Sequence, residues 1–458
     1  MKKRCLYFTI IFFLFHINLM GQVGQDIRYY PNDPYFKYQI YLHNEKNMME
    51  DIGYINYYNY FLEHKKEILD KYKAIKGSLP VLAIVDGDYD SFDEDLEDRM
   101  WRNPQEDPYN SEDDDGNGWV NDYGIMNFID KWVYPVSGGR SDTIEEMGAR
   151  LYGTQYPPTS LFLSSPDYHG HYMALLAGAK QDNDAGWHGI LPDEVKLLLL
   201  TSGHIYGVDW IATRDALDYV IDQKAKGYIN VVAVNMSLAG NFYEENFFGY
   251  DMTFGKGAFE SKLEQLNDVG ISYVAAAGND MHNIDLYETY PASFNEPNGI
   301  VVAAAASYNA VRAWMSNYGF NTVDIFTVAQ QDTTMFEYNN TTQRYATSRG
   351  GPDNVNNVNN TSSATAITSA IYTIASLLYP ECDHLQVKQM VLDSYMDKDN
   401  LYGLTKAYKR MTHDGITRLS GEGRNALGNL IGLVTRDIDA GEEDFHLNVE
   451  LRKKICGR

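Results

Sequence analysis

Short apolar runs alternate with longer segments of helical periodicity from about residue 79 onward. The runs are rich in β-branched residues and apolar at consecutive positions, which indicates strands buried on both faces. The predicted strands are residues 81–85, 195–200, 231–234, 271–277 and 300–305. Helical spacing predicts helices at 54–76, 209–226 and 258–268. The alternation favours an α/β fold, a mostly parallel sheet flanked by helices with its active site at the carboxyl ends of the strands.

Three regions interrupt this alternation. Residues 86–122 contain fifteen Asp or Glu residues against two arginines, which is too acidic for a core. Residues 322–360 are polar and end in an Asn-rich stretch, so their composition predicts a loop. Residues 436–458 are charged and have no apolar face. We therefore predict one catalytic-sized domain with long surface insertions.

The first twenty-one residues are typical of a signal peptide. A basic start at 2–4 precedes an apolar run at 6–15, and Gly21 supplies a small residue at the predicted cleavage point. Ten apolar residues are too few to span a bilayer, although a tilted anchor helix that includes 17–20 stays an alternative. We expect an exported protein, located in the periplasm, at the cell surface or outside the cell.

The predicted organisation is a signal peptide at 1–21, an N-terminal extension at 22–80 packed on the catalytic domain, a peptidase-sized domain at 81–435 with an acidic insertion at about 88–130, and a charged tail at 436–458.

Composition excludes several classes of protein. The chain is 44% apolar and 22% charged, so it can bury a sizeable core and is not disordered. Its 38 Lys and Arg stand against 63 Asp and Glu, and a formal charge of −25 argues against nucleic acid or an anionic membrane as partner. No later run reaches about 18 apolar residues, so we expect no membrane span after signal cleavage. Cleavage would leave Cys382 and Cys456, hence one disulfide at most.

Four segments carry candidate chemistry at predicted strand exits and helix starts. Asp86 ends the first strand, and His169 opens a run of small and apolar residues. Asn279 follows the fourth strand, and Ser362 begins an apolar helix that runs to about residue 378. An Asp, a His and a Ser supply orienter, general base and nucleophile for acyl transfer, and an Asn amide can donate to an oxyanion. Each residue alone is weak evidence, because Asp and Ser are also favoured at helix caps and turns.

The order Asp86, His169, Asn279, Ser362 and the sequences around these residues resemble the subtilisin-like serine peptidases, the subtilase family. The resemblance covers about residues 32–433. It implies a subtilisin-like fold and serine endopeptidase activity, with Asp86, His169 and Ser362 as the triad and Asn279 as oxyanion donor. The segments that support it elsewhere are 189–192, 234–240, 290–293, 316–319 and 421–426.

The resemblance also implies a substrate cleft. Residues 234–240 are similar to the strand that lines the cleft in the family, and an extended peptide would pair with this edge through its backbone. The expected partners are therefore proteins or peptides. Small residues, Ala239, Ala276 and Ala277, leave room for an apolar side chain just before the cleaved bond. The expected substrate-binding residues are Ser237, Leu238, Ala239, Gly240, Ala277 and Gly278.

The motifs also depart from the usual pattern of the family, and each change spares the reacting group. Two interpretations therefore stay open, an active peptidase and a catalytically impaired peptide-binding protein. Ser363, the next residue, is the alternative to Ser362 as nucleophile. The departures are Gly87 and Asp88 after the acid, His171 and Tyr172 in place of Thr-His, Asn360 in place of Gly, and Ala366 in place of Pro. We expect His171 to be a packed or solvent-facing residue and not a second base.

The acidic insertion has a pattern of its own. Asp113, Asp115 and Asn117 place oxygen ligands at alternate positions, with Gly118 at the sixth, as the start of an EF-hand-like calcium loop does. The Glu expected at the twelfth position is missing, so Asp122 or a distant residue would have to complete the site. A structural calcium ion and a solvated acidic turn both stay open, and the family resemblance favours calcium. No cofactor is expected for catalysis.

Overall fold

Most of the chain between residues 29 and 395 is described by the computed structural model. The described residues are 29–43, 51–87, 89, 93–107, 110, 112–119, 122–128, 169–204, 207–241, 252–294, 296–306, 312–330 and 360–395. The chain divides into two compact units, residues 1–30 and 31–458, and only Tyr29 and Tyr30 of the first are described. The predicted signal peptide, the charged tail, Asp88 and the segment 421–426 lie outside the described residues.

A seven-stranded sheet forms the centre of the second unit, and each pair of neighbouring strands is parallel. Its spatial order is β2-β3-β1-β6-β7-β8-β9, and β4 and β5 form a separate antiparallel pair. The strands are β1 Val81–Asp86, β2 Met126–Asn127, β3 Lys196–Thr201, β4 Gly203–His204, β5 Gly207–Val208, β6 Val231–Met236, β7 Ser272–Ala276, β8 Gly299–Ala306 and β9 Ile325–Gln330. The predicted parallel α/β sheet is confirmed, since each predicted apolar run overlaps one of its strands.

Helices cover both faces of this sheet. The α-helices are α1 Tyr54–Lys76, α2 His169–Gly178, α3 Trp210–Lys226, α4 Met252–Asp268, α5 Thr361–Leu378 and α6 His384–Ser394. Two short 3-10 turns lie at Phe36–Tyr38 and Ala292–Phe294. Within the described ranges, no helix combines the length and the apolar character that a bilayer span requires.

Alternate residues of β1 point into two separate cores, as the two-residue period of a strand requires. Leu82 and Ile84 join a core with residues of α1, α2, α5 and α6. Val81, Ala83 and Val85 join a second core with residues of α3 and α4 on the other face. Because β1 is covered on both sides, its last residue reaches the carboxyl edge of the sheet from a fully buried strand.

Helix α5 is buried along its whole length, although it contains several Ser and Thr residues. The hydroxyls of Thr365, Thr368 and Ser369 donate to backbone carbonyls four residues earlier, at 2.7–2.8 Å. Thr368 Oγ1 also lies 2.7 Å from Thr327 Oγ1, and Ser369 Oγ lies 3.0 Å from Asn235 Oδ1, so these buried hydroxyls are satisfied both within the helix and by the neighbouring strands. The first turn of α5, which holds Ser362, is therefore placed by a helix that contacts β6, β7, β8 and β9.

The structure differs from the sequence prediction at both edges of the sheet. At one edge β2, Met126–Asn127, lies within the predicted acidic insertion and pairs with β3. The composition of residues 322–360 predicts a loop, but β9 occupies Ile325–Gln330 and pairs with β8. The polar character of the whole segment hides a short strand whose Val323, Ile325 and Phe326 are buried. Cys382 is disulfide-bonded, and the other two cysteines of the chain lie outside the described residues.

The N-terminal cap of α3 provides a test of this part of the fold. Asp209 accepts the backbone N–H groups of Ile211 and Ala212 at 2.9 and 3.0 Å. Asp209→Ala should lower the free energy of unfolding by about 1 kcal/mol, because two N–H groups lose their acceptor. Asp209→Asn keeps a cap oxygen and should stay within a few tenths of a kcal/mol of wild type. Urea unfolding of the three proteins measures the difference, and equal losses in both variants would contradict the capping role.

Candidate active site

Asp86 and His169 form a direct hydrogen bond at the carboxyl edge of the sheet. Asp86 is the last residue of β1, and His169 is the first residue of α2. His169 Nδ1 lies 2.6 Å from Asp86 Oδ1, and the same oxygen accepts the backbone N–H of Gly87 at 2.6 Å. An ionised carboxylate only accepts hydrogen bonds, so Nδ1 carries the hydrogen and Nε2 is the acceptor of the neutral ring. The carboxylate thus selects the tautomer that a general base needs.

The two side chains of this pair differ in their access to solvent. The side chain of Asp86 is 2% exposed, and that of His169 is 35% exposed. Asp86 Oδ2 is buried and has no hydrogen-bond partner among the described residues. A buried carboxylate with unused hydrogen-bonding capacity is stabilised by a neighbouring positive charge. Asp86 is therefore suited to stabilise an imidazolium at His169.

Gly170 lets α2 approach β1 closely enough for this hydrogen bond. A Cβ at Gly170 would lie 2.9 Å from the Gly87 carbonyl oxygen, 3.0 Å from the Tyr89 ring and 3.1 Å from Asp86 Cβ. The backbone and the ring leave no room for a side chain. Tyr89 is itself held by a 2.8 Å hydrogen bond from its hydroxyl to the carbonyl of Ile84.

Ser362 lies in the first turn of α5 and contacts the segment that follows β6. Its Oγ donates to the carbonyl oxygen of Ser237 at 3.3 Å, and Ser237 Oγ donates to the carbonyl oxygen of Ser362 at 2.9 Å. These reciprocal bonds fix the start of α5 against the predicted substrate edge. Helices α2 and α5, which begin with His169 and Thr361, pack against each other.

The first residue of α5 orients the side-chain amide of Asn279. The backbone N–H and the hydroxyl of Thr361 both donate to Asn279 Oδ1, each at 3.0 Å. Two donors identify that atom as the oxygen, so the NH2 group of Asn279 points away from Thr361. Thr361 Oγ1 also accepts the N–H of Gly278 at 3.2 Å. Asn279 itself is exposed, which leaves its NH2 group accessible from solvent.

Asn317 fixes the loop that carries Asn279. Its side-chain NH2 donates to the carbonyl of Ala277 at 2.9 Å, and its Oδ1 accepts the N–H groups of Asp280 and His282 at 2.8 and 3.1 Å. Gly278 has φ +97°, and a Cβ there would lie 2.5 Å from Asn317 Nδ2. Glycine is therefore required at 278 for both conformation and space.

The predicted substrate edge is available over part of its length. Gly240 exchanges both backbone hydrogen bonds with Tyr290, at 3.0 and 2.8 Å, so the expected substrate-binding role of its backbone needs correction. Leu238 and Ala239 make no backbone–backbone hydrogen bond within the described residues, and Ala239 is exposed. The segment open to a peptide backbone is thus shorter than predicted.

The remaining cleft residues are buried behind this segment. Ala277 and Gly278 are buried, and a Cβ at Gly278 would lie 3.2 Å from Thr289 Cγ2 and 3.5 Å from Ala239 Cβ. Leu238 is buried in the core beneath β6. Small side chains and the Thr289 methyl group therefore surround the position next to Gly278.

Sequence reasoning places the four candidate side chains on the correct elements but misses the residues that hold them. Gly170, Asn317 and Thr361 position the site through contacts with residues far away in the chain. A signal for Asn317 exists, because it lies in a segment, 316–319, that resembles the family. Nothing local distinguishes its buried amide from a surface Asn.

The acidic insertion assembles three carboxylates that the sequence prediction only partly identifies. Oxygen atoms of Glu106, Asp113 and Asp115 lie within 4.8 Å of one another. Asn117 Oδ1 accepts the N–H of Trp119, and its NH2 donates to Asp115 and Asp122. Glu106, seven positions before Asp113, is a carboxylate that sequence reasoning does not include.

Burial raises the pKa of Glu106, and the nearby charges of Asp122 and Asp115 raise it further, against the lowering effect of backbone N–H donors. Burial also raises the pKa of Asp122, although hydrogen bonds from Asn103, Tyr219 and Asn117 oppose that shift. Burial is the main cause of both shifts, and the crowding of neighbouring carboxylates adds to them. A hard divalent cation would relieve the crowding through oxygen ligands of the kind present here.

The comparison with protein families identifies the chain. The model of the subtilase family, peptidase S8, matches residues 77–423, which is more than half of the 458 residues. The protein belongs to the subtilase family. The parallel sheet and the order of Asp86, His169, Asn279 and Ser362 at its carboxyl edge agree with this assignment.

Individual relatives are distant. A stretch of 126 residues is 31% identical to subtilisin-like protease 3 of Arthroderma otae and covers 28% of this chain and 25% of that protein. The match thus spans about a quarter of the length of the curated relatives. A protease from Pseudoalteromonas arctica has a solved structure that is 16% identical, with TM-score 0.48, and covers 83% of this chain and 99% of its own. The nisin leader peptidase of Lactococcus lactis is 14% identical, with TM-score 0.46, and covers 79% and 92% respectively.

The tight contact at Gly170 predicts the effect of an alanine substitution there, and Gly257 provides the control position. Gly170→Ala should lower the free energy of unfolding by about 1–3 kcal/mol, because the new methyl group meets backbone and a fixed ring. A Cβ at Gly257, in α4, would meet no atom within 4 Å, so Gly257→Ala should stabilise by up to about 1 kcal/mol. Denaturant unfolding compares them, and a Gly170→Ala protein as stable as Gly257→Ala would disprove the close approach.

Proposed function

We propose that this protein is an exported serine endopeptidase that hydrolyses peptide bonds through an acyl-enzyme. The observation that carries the proposal is the Asp86–His169 hydrogen bond at the carboxyl edge of the sheet. Membership of the subtilase family and the placement of Ser362 at the start of α5 support it. In this proposal Asp86, His169 and Ser362 form the triad.

In the first step His169 acts as general base. Its Nε2 takes the proton of Ser362 Oγ while the hydroxyl oxygen attacks the peptide carbonyl carbon. Ser362 must first rotate its hydroxyl from the Ser237 carbonyl, and such catalytic hydrogen bonds often form only when substrate is bound. Asp86 then stabilises the imidazolium, which returns the proton to the leaving amine. Water attacks the acyl-enzyme in the same way and releases Ser362.

The oxyanion is stabilised by Asn279 and by the start of α5. The backbone N–H groups of Thr361, Ser363 and Ala364 donate to Asn279, Asn360 Oδ1 and the Asn360 carbonyl respectively. The N–H of Ser362 is the one in this turn to which the described contacts give no acceptor. We assign it, with the NH2 group of Asn279, to the oxygen that becomes negative.

Peptides are the proposed substrates. An extended chain would pair with Leu238 and Ala239 through its backbone. The small residues Ala239, Ala276 and Ala277 favour a compact apolar side chain before the cleaved bond. The negative net charge of −25 argues against nucleic acid as a partner. Export rests on the predicted signal peptide at 1–21, and the final location is the periplasm, the cell surface or the medium.

An active-site probe tests the nucleophile. A fluorophosphonate should label the wild-type protein and Ser363→Ala at Ser362, and should not label Ser362→Ala. Loss of the Ser362 hydroxyl should also abolish nearly all peptide hydrolysis, since no other group supplies the acyl-enzyme. A folded wild-type protein that neither reacts with the probe nor cleaves a broad peptide library would favour the alternative, a subtilase-like peptide-binding protein.

The loss of kcat on removal of the oxyanion donor can be predicted. Asn279→Ala should lower kcat by about 100- to 1,000-fold, the usual effect of removing one such donor, and should lower the free energy of unfolding by about 1 kcal/mol because Thr361 loses its acceptor. Asn283→Ala, in the same loop, is the control and should retain kcat within about threefold. Steady-state hydrolysis of a fluorogenic peptide measures both. Equal kcat in the two variants would remove Asn279 from the mechanism.

We also propose a structural calcium ion in the acidic insertion, held by Glu106, Asp113 and Asp115. Each of these carboxylates accepts backbone N–H bonds but keeps further lone pairs for a cation. Calcium should raise the melting temperature by roughly 5 °C over a chelator-treated sample. Asp113→Asn should reduce that shift. Asp70→Asn should not, because Asp70 is an exposed residue of α1. Melting temperatures that are equal with calcium and with chelator would disprove the site.

A further inference from the structure

A second imidazole–carboxylate pair lies beside the candidate triad. His171 Nε2 is 3.1 Å from Asp93 Oδ2, and the two side chains are 1% and 7% exposed. His171 is the third residue of α2, two positions after His169. The pair is buried and already hydrogen-bonded, so His171 does not act as a base on substrate. Subtilases usually have Thr at this position, which makes the pair a feature of this chain.

Asp93 is a rigid partner because its own segment is strongly hydrogen-bonded. Its Oδ1 accepts the N–H of Asp95 at 2.8 Å, and its carbonyl accepts the N–H groups of Leu96 and Glu97 at 2.9 and 2.8 Å. The carboxylate therefore caps the turn that begins there. His171 meets a fixed acceptor and not a mobile surface carboxylate.

The segment that begins at Asp93 is also attached to the far end of α2. Arg99 is fully buried, and its Nε donates to the carbonyl of Gly178, the last residue of α2, at 2.7 Å. The N–H of Lys180 donates to the carbonyl of Asp95 at 2.8 Å. Residues 93–99 thus run along the whole helix and contact its first and last turns.

The position of His171 on α2 gives this attachment a consequence for His169. Residues two positions apart on a helix point to different sides of its axis. Gly170 and His169 hold one side of the first turn against β1, and His171 holds another side against Asp93. Together these contacts oppose rotation of the turn about the helix axis, which is the motion that would carry His169 Nε2 toward or away from the start of α5.

We propose that His171 and Asp93 form a positioning pair that fixes the first turn of α2 and thereby the placement of His169 relative to Ser362. The proposal rests on the proposed peptidase function. The pair acts through His169 and does not touch substrate. A displacement of about 1 Å at a reacting group can cost on the order of 100-fold in rate, so small rotations matter.

Two amide substitutions test the pair with matched chemistry. Gln places an amide nitrogen near the position of imidazole Nε2, whereas Asn places it near Nδ1, out of reach of Asp93. His171→Asn should lower kcat for peptide hydrolysis by about tenfold or more with KM within about twofold, and His171→Gln should restore kcat to within about threefold of wild type. Asp93→Ala should resemble His171→Asn, because it removes the side-chain partner of His171 Nε2 altogether.

The outcome separates positioning from general stability. If His171→Asn is folded and its kcat equals wild type, or if His171→Gln is impaired as strongly as His171→Asn, the proposal is wrong. If His171→Asn does not fold, Asp93→Ala decides in the same way. Unchanged kcat with a lowered melting temperature would leave only a structural role and overturn positioning.

A spectroscopic measurement tests the positioning pair without relying on peptidase activity. The proton between His169 Nδ1 and Asp86 should give a low-field NMR signal that is absent in His169→Gln. In His171→Asn this signal should shift or broaden, and His171→Gln should restore it. If wild type is neither labelled by the fluorophosphonate nor active, the peptidase function fails while this signal still tests the pair. An identical signal in wild type and His171→Asn would overturn the positioning role of the pair.

Discussion

The hydrogen bond between Asp86 and His169 is the interaction on which the rest of the site depends. It requires a carboxylate that emerges from a strand buried on both faces, and a helix whose first residue reaches it without an intervening side chain. Gly170 meets the second requirement, since a methyl group there would contact the backbone of Gly87 and the ring of Tyr89. An isolated buried carboxylate would be costly, so the pairing also makes the position of Asp86 tolerable. Chemistry and packing therefore select the same geometry at this edge.

The start of α5 organises the other half of the site. A helix leaves its first N–H groups without partners inside the helix, and here two Asn side chains accept two of them. Asn360 accepts from Ser363, and Asn279 accepts from Thr361. The same contact that satisfies the helix thus turns the NH2 group of Asn279 away from it. Because α5 is buried along its length, the position of this turn is set by the sheet and not by local loop geometry.

Sequence is sufficient where a feature depends on local pattern. Parallel strands that are apolar on both faces, and polar residues at their exits, are readable without coordinates, and the strand at Ile325–Gln330 escapes prediction only because its short apolar run lies in a polar segment. Contacts between distant residues are not readable. The role of Asn317 depends on a loop that lies 35 to 40 positions earlier in the chain, and Glu106 reaches Asp113 only through the fold of the insertion. His171 illustrates the same limit, since its partner Asp93 is separated from it by 78 positions.

Two imidazole–carboxylate pairs hold the first turn of helix α2, and a third lies beyond the helix. His169 pairs with Asp86, His171 pairs with Asp93, and beyond the helix His188 pairs with Asp33 of the N-terminal segment, with both members of that last pair fully buried. The His188 ring also makes edge contacts with Phe36, Tyr54 and Tyr58 and meets the Tyr54 hydroxyl at 2.7 Å. Buried pairs of this kind add little net stability relative to apolar packing, but they penalise any arrangement that separates the partners. The two pairs that include residues of α2 therefore favour one placement of that helix over displaced alternatives, and of the three imidazoles His169 is the one that is partly exposed to solvent.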